Sequence, residues 1–501
     1  MKRILALILA GLMLAGTVAC AKTDDPVGGD ETQTKAQTEP AETEDPAYSL
    51  GLKTNLNYGN ENVNFLVYKN DAFPSEMSSE KLGTGVVSDA IYERNVLVED
   101  LLKIKLVCYE NQDVSGELSR DIQSGLGDYA LVSTPTFGIV SSTVEGKFID
   151  LNRLDNIDLE KHYWTQGYND MVTFTESRMQ FLASGAPAVS MYRYTYMTLY
   201  NKSLFKDNQI PDLYDTVVKG EWTLDKQYSI TKDHYIDADG SGSASDGDMY
   251  GFVTGNCVSV DPYMVATETY LITKESDTQE LMFNDAALSR LSDVCDKTQL
   301  LFNDASTYVY QGSTQDNVTT SNIIDHFSAN HALMATTRFV VMEMYYSDLA
   351  PMSYGIAPMP KFDTNQKEYR SYVQDRVTAF GISAVVSDSD KQEMCAATLE
   401  AMAYYSNNLV RPAYYNTVLS ERYMQDPQSK ELLDLIFDTL YFDFSSTCAN
   451  MLAVNTRDNL RGLLSGKTNT IASSTKSWSK SIQVGMKTIN KSLERLEDQA
   501  S

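Results

Sequence analysis

From Asn62 to Tyr68 polar and apolar side chains alternate, with Val63, Phe65 and Val67 on one face, the period of a half-buried strand. Val87, Ala90, Ile91, Arg94, Leu97, Val98 and Leu101 then recur at three- and four-residue spacing, which predicts a helix. Lys103 to Tyr109 predicts a second strand, about 113–124 a second helix, and Tyr129 to Val132 a short buried strand ended by Ser133-Thr134-Pro135. This βαβαβ order makes a parallel sheet covered by helices. Ligands then bind beyond the carboxyl ends of the strands, here after Tyr68 and after Val132.

From about residue 195 the pattern changes to helical and loop segments with a short strand at Leu333 to Thr336 and a turn-rich stretch, Gly355 to Pro360. A strand returns over Ala379 to Val386. The cluster Ser387-Asp388-Ser389-Asp390 opens an amphipathic helix through Met394, Thr398 and Met402. Near the end, Trp478, Ile482, Met486, Ile489, Leu493 and Leu496 form one helical stripe, the mark of a helix packed on a protein surface.

The first twenty residues follow another pattern. Lys2 and Arg3 precede an apolar run, Ile4 to Ala15, too short to span a bilayer comfortably, which is the form of a secretory signal. The run ends in Thr17-Val18-Ala19-Cys20, which resembles the lipobox at which bacterial lipoproteins are cleaved and acylated, although Thr17 stands where Leu is usual. Cys20 is therefore the expected lipidation site, and ordinary signal cleavage is the alternative. Residues 21–47 carry eight acids against two lysines and almost no large apolar side chain, so residues 21–59 are expected to form a flexible acidic linker.

Composition narrows the function. The chain has 501 residues, 43% hydrophobic, with a formal net charge of −27, which suits two or three globular units and argues against nucleic acid as a partner. There are 31 Tyr and only 4 His, so aromatic faces with polar tips are plentiful and triads or zinc sites are not. The five cysteines after Cys20 are widely spaced, which indicates neither a disulfide framework nor a CxxC site. GxSxG, HExxH and GxGxxG are absent, and His326 and His331 are badly spaced for two ligands on one helical face. Paired carboxylates of a glycosidase remain open, since their separation is not a sequence property.

One oxygen-ligand pattern stands out. Asp237 to Asp248 has oxygen side chains at loop positions 1, 3, 5 and 9, glycine at 6 and a carboxylate at 12. Asp237, Asp239, Ser241 and Asp248, with the backbone carbonyl of Ser243, could hold a structural Ca²⁺, the short Asp248 replacing the usual Glu. A bare Gly/Ser/Asp surface turn is the alternative.

Four phrases carry a family resemblance: Leu199 to Phe205 (LYNKSLF), Gly220 to Asp225 (GEWTLD), Asp248 to Phe252 at the end of the acidic loop, and Tyr354 to Pro360 (YGIAPMP). In this order, over roughly 60–490, they resemble extracellular solute-binding proteins of family 1, the lipoprotein receptors of bacterial ABC sugar importers. The resemblance implies an α/β fold of two lobes joined by crossing hinge segments, with a ligand cleft between them. It divides the chain into a signal (1–20), the linker (21–59), lobe 1 (60–190), lobe 2 (191–375), a return to lobe 1 (376–410) and C-terminal helices mainly on lobe 2 (411–501).

The implied function is carbohydrate capture without catalysis and delivery to ABC permease subunits from the outer face of the cytoplasmic membrane. A secreted glycoside hydrolase and a receptor for another solute, such as a peptide, are the alternatives. The cleft candidates are residues at strand ends and crossings: Tyr68, Asp71, Thr134, Tyr192, Tyr194, Arg338 and Arg376. Trp222, beside Thr223, is expected to pack at a capped helix start.

Overall fold

The structure, a computed structural model, describes residues 49–500 except 54, 313–315, 425 and 453–455. Cys20 and most of the acidic linker lie outside the described residues. In chain order the first elements are β1 (Glu61–Tyr68), α1 (Val86–Leu102), β2 (Ile104–Asn111), α2 (Val114–Ser124) and β3 (Leu131–Pro135). Next come β4 (Tyr196–Asn201), β5 (Tyr250–Gly255), α3 (Ala287–Phe302), β6 (Thr307–Tyr310), β7 (Ala332–Arg338) and β8 (Tyr354–Ala357). Then β9 (Thr378–Ile382), α4 (Ser389–Tyr405), α5 (Pro427–Asp438), α6 (Thr456–Leu464) and α7 (Ile471–Ala500) complete the body.

Two sheets result. The first has the order β9-β3-β1-β2, with β1 parallel to both neighbours and β9 antiparallel to β3. The second has the order β6-β5-β7-β4-β8, parallel from β6 to β7 and antiparallel at β4 and β8. β1 is buried on both faces, since Leu66 joins one apolar cluster while Val63, Phe65 and Val67 join another. A central parallel strand needs such double cover. α2 starts where the Asp113 carboxylate accepts from the Gly116 N–H at 3.0 Å and stops at Gly125, whose φ of 67° a side chain would resist.

The lobes meet where three segments run side by side. Thr195 bridges Val373, the Gln374 N–H donates to the Tyr194 carbonyl at 3.0 Å, and Ser371–Tyr372 pairs with Leu440–Tyr441. Tyr196 and Tyr372 stack there, ring centroids 5.5 Å apart. Trp222 is fully buried and its indole N–H donates to the Pro358 carbonyl at 2.8 Å, while the Thr223 hydroxyl caps its helix at the Lys226 N–H. Along α7, Trp478, Ile482, Met486, Ile489 and Leu493 are buried, as their stripe predicts.

The body begins earlier than the expected linker boundary. Leu52, Leu56 and Tyr58 pack on the first lobe's core, and the Gly51 N–H donates to the Tyr163 hydroxyl. These are the apolar side chains that 21–47 lack.

Candidate functional site

A cavity lies at the carboxyl ends of β1 and β3, closed by the first and second crossings. Tyr68, Phe73, Glu76, Arg193, Tyr194 and Arg376 contribute to its lining. Its free volume is about 40 Å³, space for about three waters. The loop 69–85, between β1 and α1, supplies one wall, from Asn70 to Met77.

That loop is held from both sides. On α1, the fully buried Arg94 donates to the carbonyls of Glu76 (3.1 Å) and Met77 (2.9 Å) and to the Ser406 hydroxyl (3.2 Å), and Asn95 donates to Met77 as well. Burial pulls the Arg94 guanidinium down to about 10, which leaves it charged at neutral pH. On the cavity side, the Glu76 carboxylate accepts from the Thr378 hydroxyl (2.7 Å), the Ser190 hydroxyl (3.2 Å) and the Ser190 N–H. Burial pushes the Glu76 carboxyl above its usual range, and Arg193 at 3.8 Å and these donors offset only part of that push.

Arg193 ties four segments together. Its Nε and Nη2 donate to the two Glu343 oxygens at 2.8 and 3.1 Å, a forked pair between the first crossing and the second lobe. Its guanidinium lies 4.4 Å from the Phe73 ring centre and 5.4 Å from that of Tyr414, whose hydroxyl also donates to Glu343. Burial disfavours the Arg193 cation, but Glu343, Tyr414 and Glu76 more than offset it and hold its proton more tightly than usual.

Three consecutive residues of the second crossing diverge. Gln374 accepts from Arg338 at 2.5 Å, Asp375 takes Arg457 of α6, and Arg376 enters the cavity. Arg376 lies over the rings of Tyr194 (5.8 Å) and Phe137 (5.9 Å).

Of the seven residues expected in the cleft, the structure brings Tyr68, Tyr194 and Arg376 together. The structure places the other four outside this cavity. Asp71 is exposed and accepts from Gln112 at 2.7 Å. Thr134 is buried between Ser133 and Pro135, which do line the cavity, so the expected position is one residue out of phase with the pleat. Tyr192 packs among Tyr414, Tyr415 and Phe437 and borders a separate cavity. Arg338 is buried with its guanidinium on Gln374 and on the Thr320 hydroxyl. Phe73 and Glu76 were not foreseen, because their loop has no periodicity and Glu76 meets its partners more than a hundred residues away.

The acidic loop folds on itself. One carboxylate oxygen from each of Asp237, Asp239 and Asp248 lies within 4.8 Å of the others, a donor set of hard oxygens that suits Ca²⁺. Asp237 and Asp239 accept from the backbone of Ser241, Asp237 also from that of Gly242, and the buried Asp248 from the N–H groups of Ala238 and Ser245 and from Tyr235. The Ser241 hydroxyl donates to the Ser243 carbonyl at 2.8 Å, so these two expected ligands are engaged with each other. Hydrogen bonds from Ser245 and Ser241 pull the exposed Asp239 carboxyl down to about 2.

No family model and no curated protein matches the chain. Solved structures do. A sugar transporter from Rhizobium etli, in an open conformation, is 13% identical with a TM-score of 0.53, covering 86% of this chain and 99% of that one. The galacto-N-biose/lacto-N-biose I-binding protein of an ABC transporter from Bifidobacterium longum, in complex with lacto-N-biose, is 11% identical with a TM-score of 0.52 over 87% and 98%. A family 1 extracellular solute-binding protein from Bifidobacterium longum subsp. infantis is 12% identical with a TM-score of 0.51 over 87% and 100%. With its two sheets, its three crossing segments and these neighbours, the chain has the two-lobed fold of the extracellular solute-binding proteins.

Proposed function

We propose that the protein captures a carbohydrate outside the cell and delivers it to an ABC importer by closing its lobes, held to the membrane through Cys20. The observation that carries this reading is the cavity at the lobe junction, where Tyr68, Phe73 and Tyr194 offer ring faces and Arg376 offers donors. Rings stack on the C–H faces of sugars while polar groups bond the hydroxyls. The sugar-binding protein that shares this fold supports the ligand class. Of the carboxylates among the described residues, only Glu76 lines the cavity, whereas glycoside hydrolysis calls for a pair.

A sugar ring exceeds the present free volume, so entry requires the loop 69–85 or the hinge to move. A thermal-shift screen over sugars, oligosaccharides, amino acids and peptides tests the reading. A ligand at a hundred times its Kd stabilises the native state by about 2.7 kcal/mol. Stabilisation by amino acids or peptides and by no sugar would refute the carbohydrate assignment. Scattering with a bound sugar should show a smaller radius of gyration. Cys20→Ala should release the protein from membranes, and unchanged membrane association would refute the anchor.

A further inference from the structure

We infer that the solute carries an oxyanion, a carboxylate, sulfate or phosphate on a sugar ring, and that Arg376 receives it. The inference rests on the carbohydrate reading above and narrows its ligand class. Arg376 is set apart by what its guanidinium lacks. Among the described residues, every other buried or half-buried arginine donates hydrogen bonds: Arg94 to carbonyls, Arg338 to Gln374, Arg290 to the Thr267 carbonyl, and the rest to carboxylates. Half-buried Arg376 has ring contacts alone, with no hydrogen bond or ion pair to any described residue.

The acids that could neutralise Arg376 are engaged elsewhere. Asp375, its neighbour in the chain, turns to Arg457, and Glu76 sits on Ser190 and Thr378 beside Arg193. In a chain of net charge −27, a cation left uncompensated inside a cavity is a local reversal of sign. The guanidinium lies over two rings and its N–H groups donate to no described residue, and that planar fork matches two oxygens of an oxyanion better than a single hydroxyl. Tyr194, which lines the cavity, can also stack on the sugar that bears the charge.

The test is calorimetry on the full-length protein with matched pairs: galacturonate and glucuronate oligomers of two to four residues against their galactose and glucose counterparts. Galactose 6-sulfate and glucose 6-phosphate against the parent sugars separate carboxylate from sulfate and phosphate. The expected result is at least tenfold tighter binding of one oxyanion member, weakening as salt rises. Arg376→Gln should remove that preference, bringing the oxyanion and neutral members of a pair to within threefold of each other, and Arg376→Lys should keep part of it. An unshifted melting temperature in both ligand-free variants shows that they fold. Equal or tighter binding of the neutral members, or a preference that survives Arg376→Gln, overturns the inference and leaves the carbohydrate reading standing. Binding of neither member of any pair overturns the inference, and the carbohydrate reading falls with it only where the wider screen also finds no sugar.

Discussion

Two polar clusters of this protein are built in opposite ways. At the lobe junction, Glu76, Arg193, Glu343 and Tyr414 come from four distant segments and lie buried or nearly so. In the loop 237–248, the partners stand two to ten residues apart and mostly exposed. The first cluster exists only when the lobes are assembled. The second forms wherever its own turn forms, because short side chains bond nearby backbone amides. Charge is therefore structural at the junction and local in the loop, and the two should respond differently to substitution.

The sharpest test of that contrast is Glu343→Ala against Asp239→Ala. Removing Glu343 takes away the forked partner of the Arg193 guanidinium, whose side chain is 8% exposed, leaves it only Glu76 at 3.8 Å as a carboxylate, and frees the Tyr414 hydroxyl. Breaking one partner of a buried pair costs about 3–5 kcal/mol, read as a lower urea midpoint. Asp239→Ala, at an exposed position, should shift that midpoint far less without metal. Equal losses would erase the distinction between the clusters.

The same contrast explains what the sequence could show. β1 was legible from its alternation, β2 and β3 as short strand-like runs set off by two clear helices, and the return at Phe380 because β9 is bounded by polar turns. The acidic loop was legible because its ligand spacing is local. At the cavity, Tyr68, Tyr194 and Arg376 follow from the rule that strand ends and crossings carry sites. The rule has no angular resolution, so it also selected Thr134, one pleat out of phase, and Tyr192, which packs among rings of the C-terminal region. Glu76 escaped because neither period nor motif marks a residue whose partners are Ser190 and Thr378.

Arg94→Met probes the junction one step further out. The substitution keeps the stem but leaves the buried Glu76 and Met77 carbonyls short of donors, at about 1–3 kcal/mol. If the loop 69–85 gates the cavity, sugar association should also become faster in the variant by stopped-flow fluorescence. Unchanged stability and kinetics would make the Arg94 contacts incidental.

A smaller effect distinguishes a metal loop from a bare turn. We propose that Asp237, Asp239, Ser241 and Asp248, with the Ser243 carbonyl, hold Ca²⁺, for which the Ser241 hydroxyl must release Ser243. Extracellular calcium modules bind at about 10⁻⁴–10⁻³ M, so 1 mM Ca²⁺ should stabilise by about 0.4–1.4 kcal/mol. Chelator should reverse the gain and Asp239→Ala should abolish it. Identical melting curves with calcium and with chelator would leave the bare turn.

The smallest expected effect comes from the group that anchors the loop to its lobe. His326 is buried, its Nε2 lies 3.0 Å from the Asp248 carbonyl, and its Nδ1 lies 3.1 Å from the Tyr310 hydroxyl. A carbonyl only accepts, so Nε2 carries the proton and the neutral ring accepts from Tyr310 at Nδ1. Burial lowers the affinity of His326 for a second proton, and neighbouring His331 adds to this, against a weaker opposing pull from Asp246 and backbone bonds. In the unfolded chain His326 protonates near 6.5. Below that value the unfolded state binds the extra proton, so stability is full above it and is lost as pH falls toward the lower folded value. Between pH 7 and 6 the loss is at most about 0.7 kcal/mol. His326→Gln keeps a donor and an acceptor without titrating, so its melting temperature should fall less over that interval than the wild type's. Parallel pH profiles for the two proteins would show that His326 is not what links the acidic loop to pH.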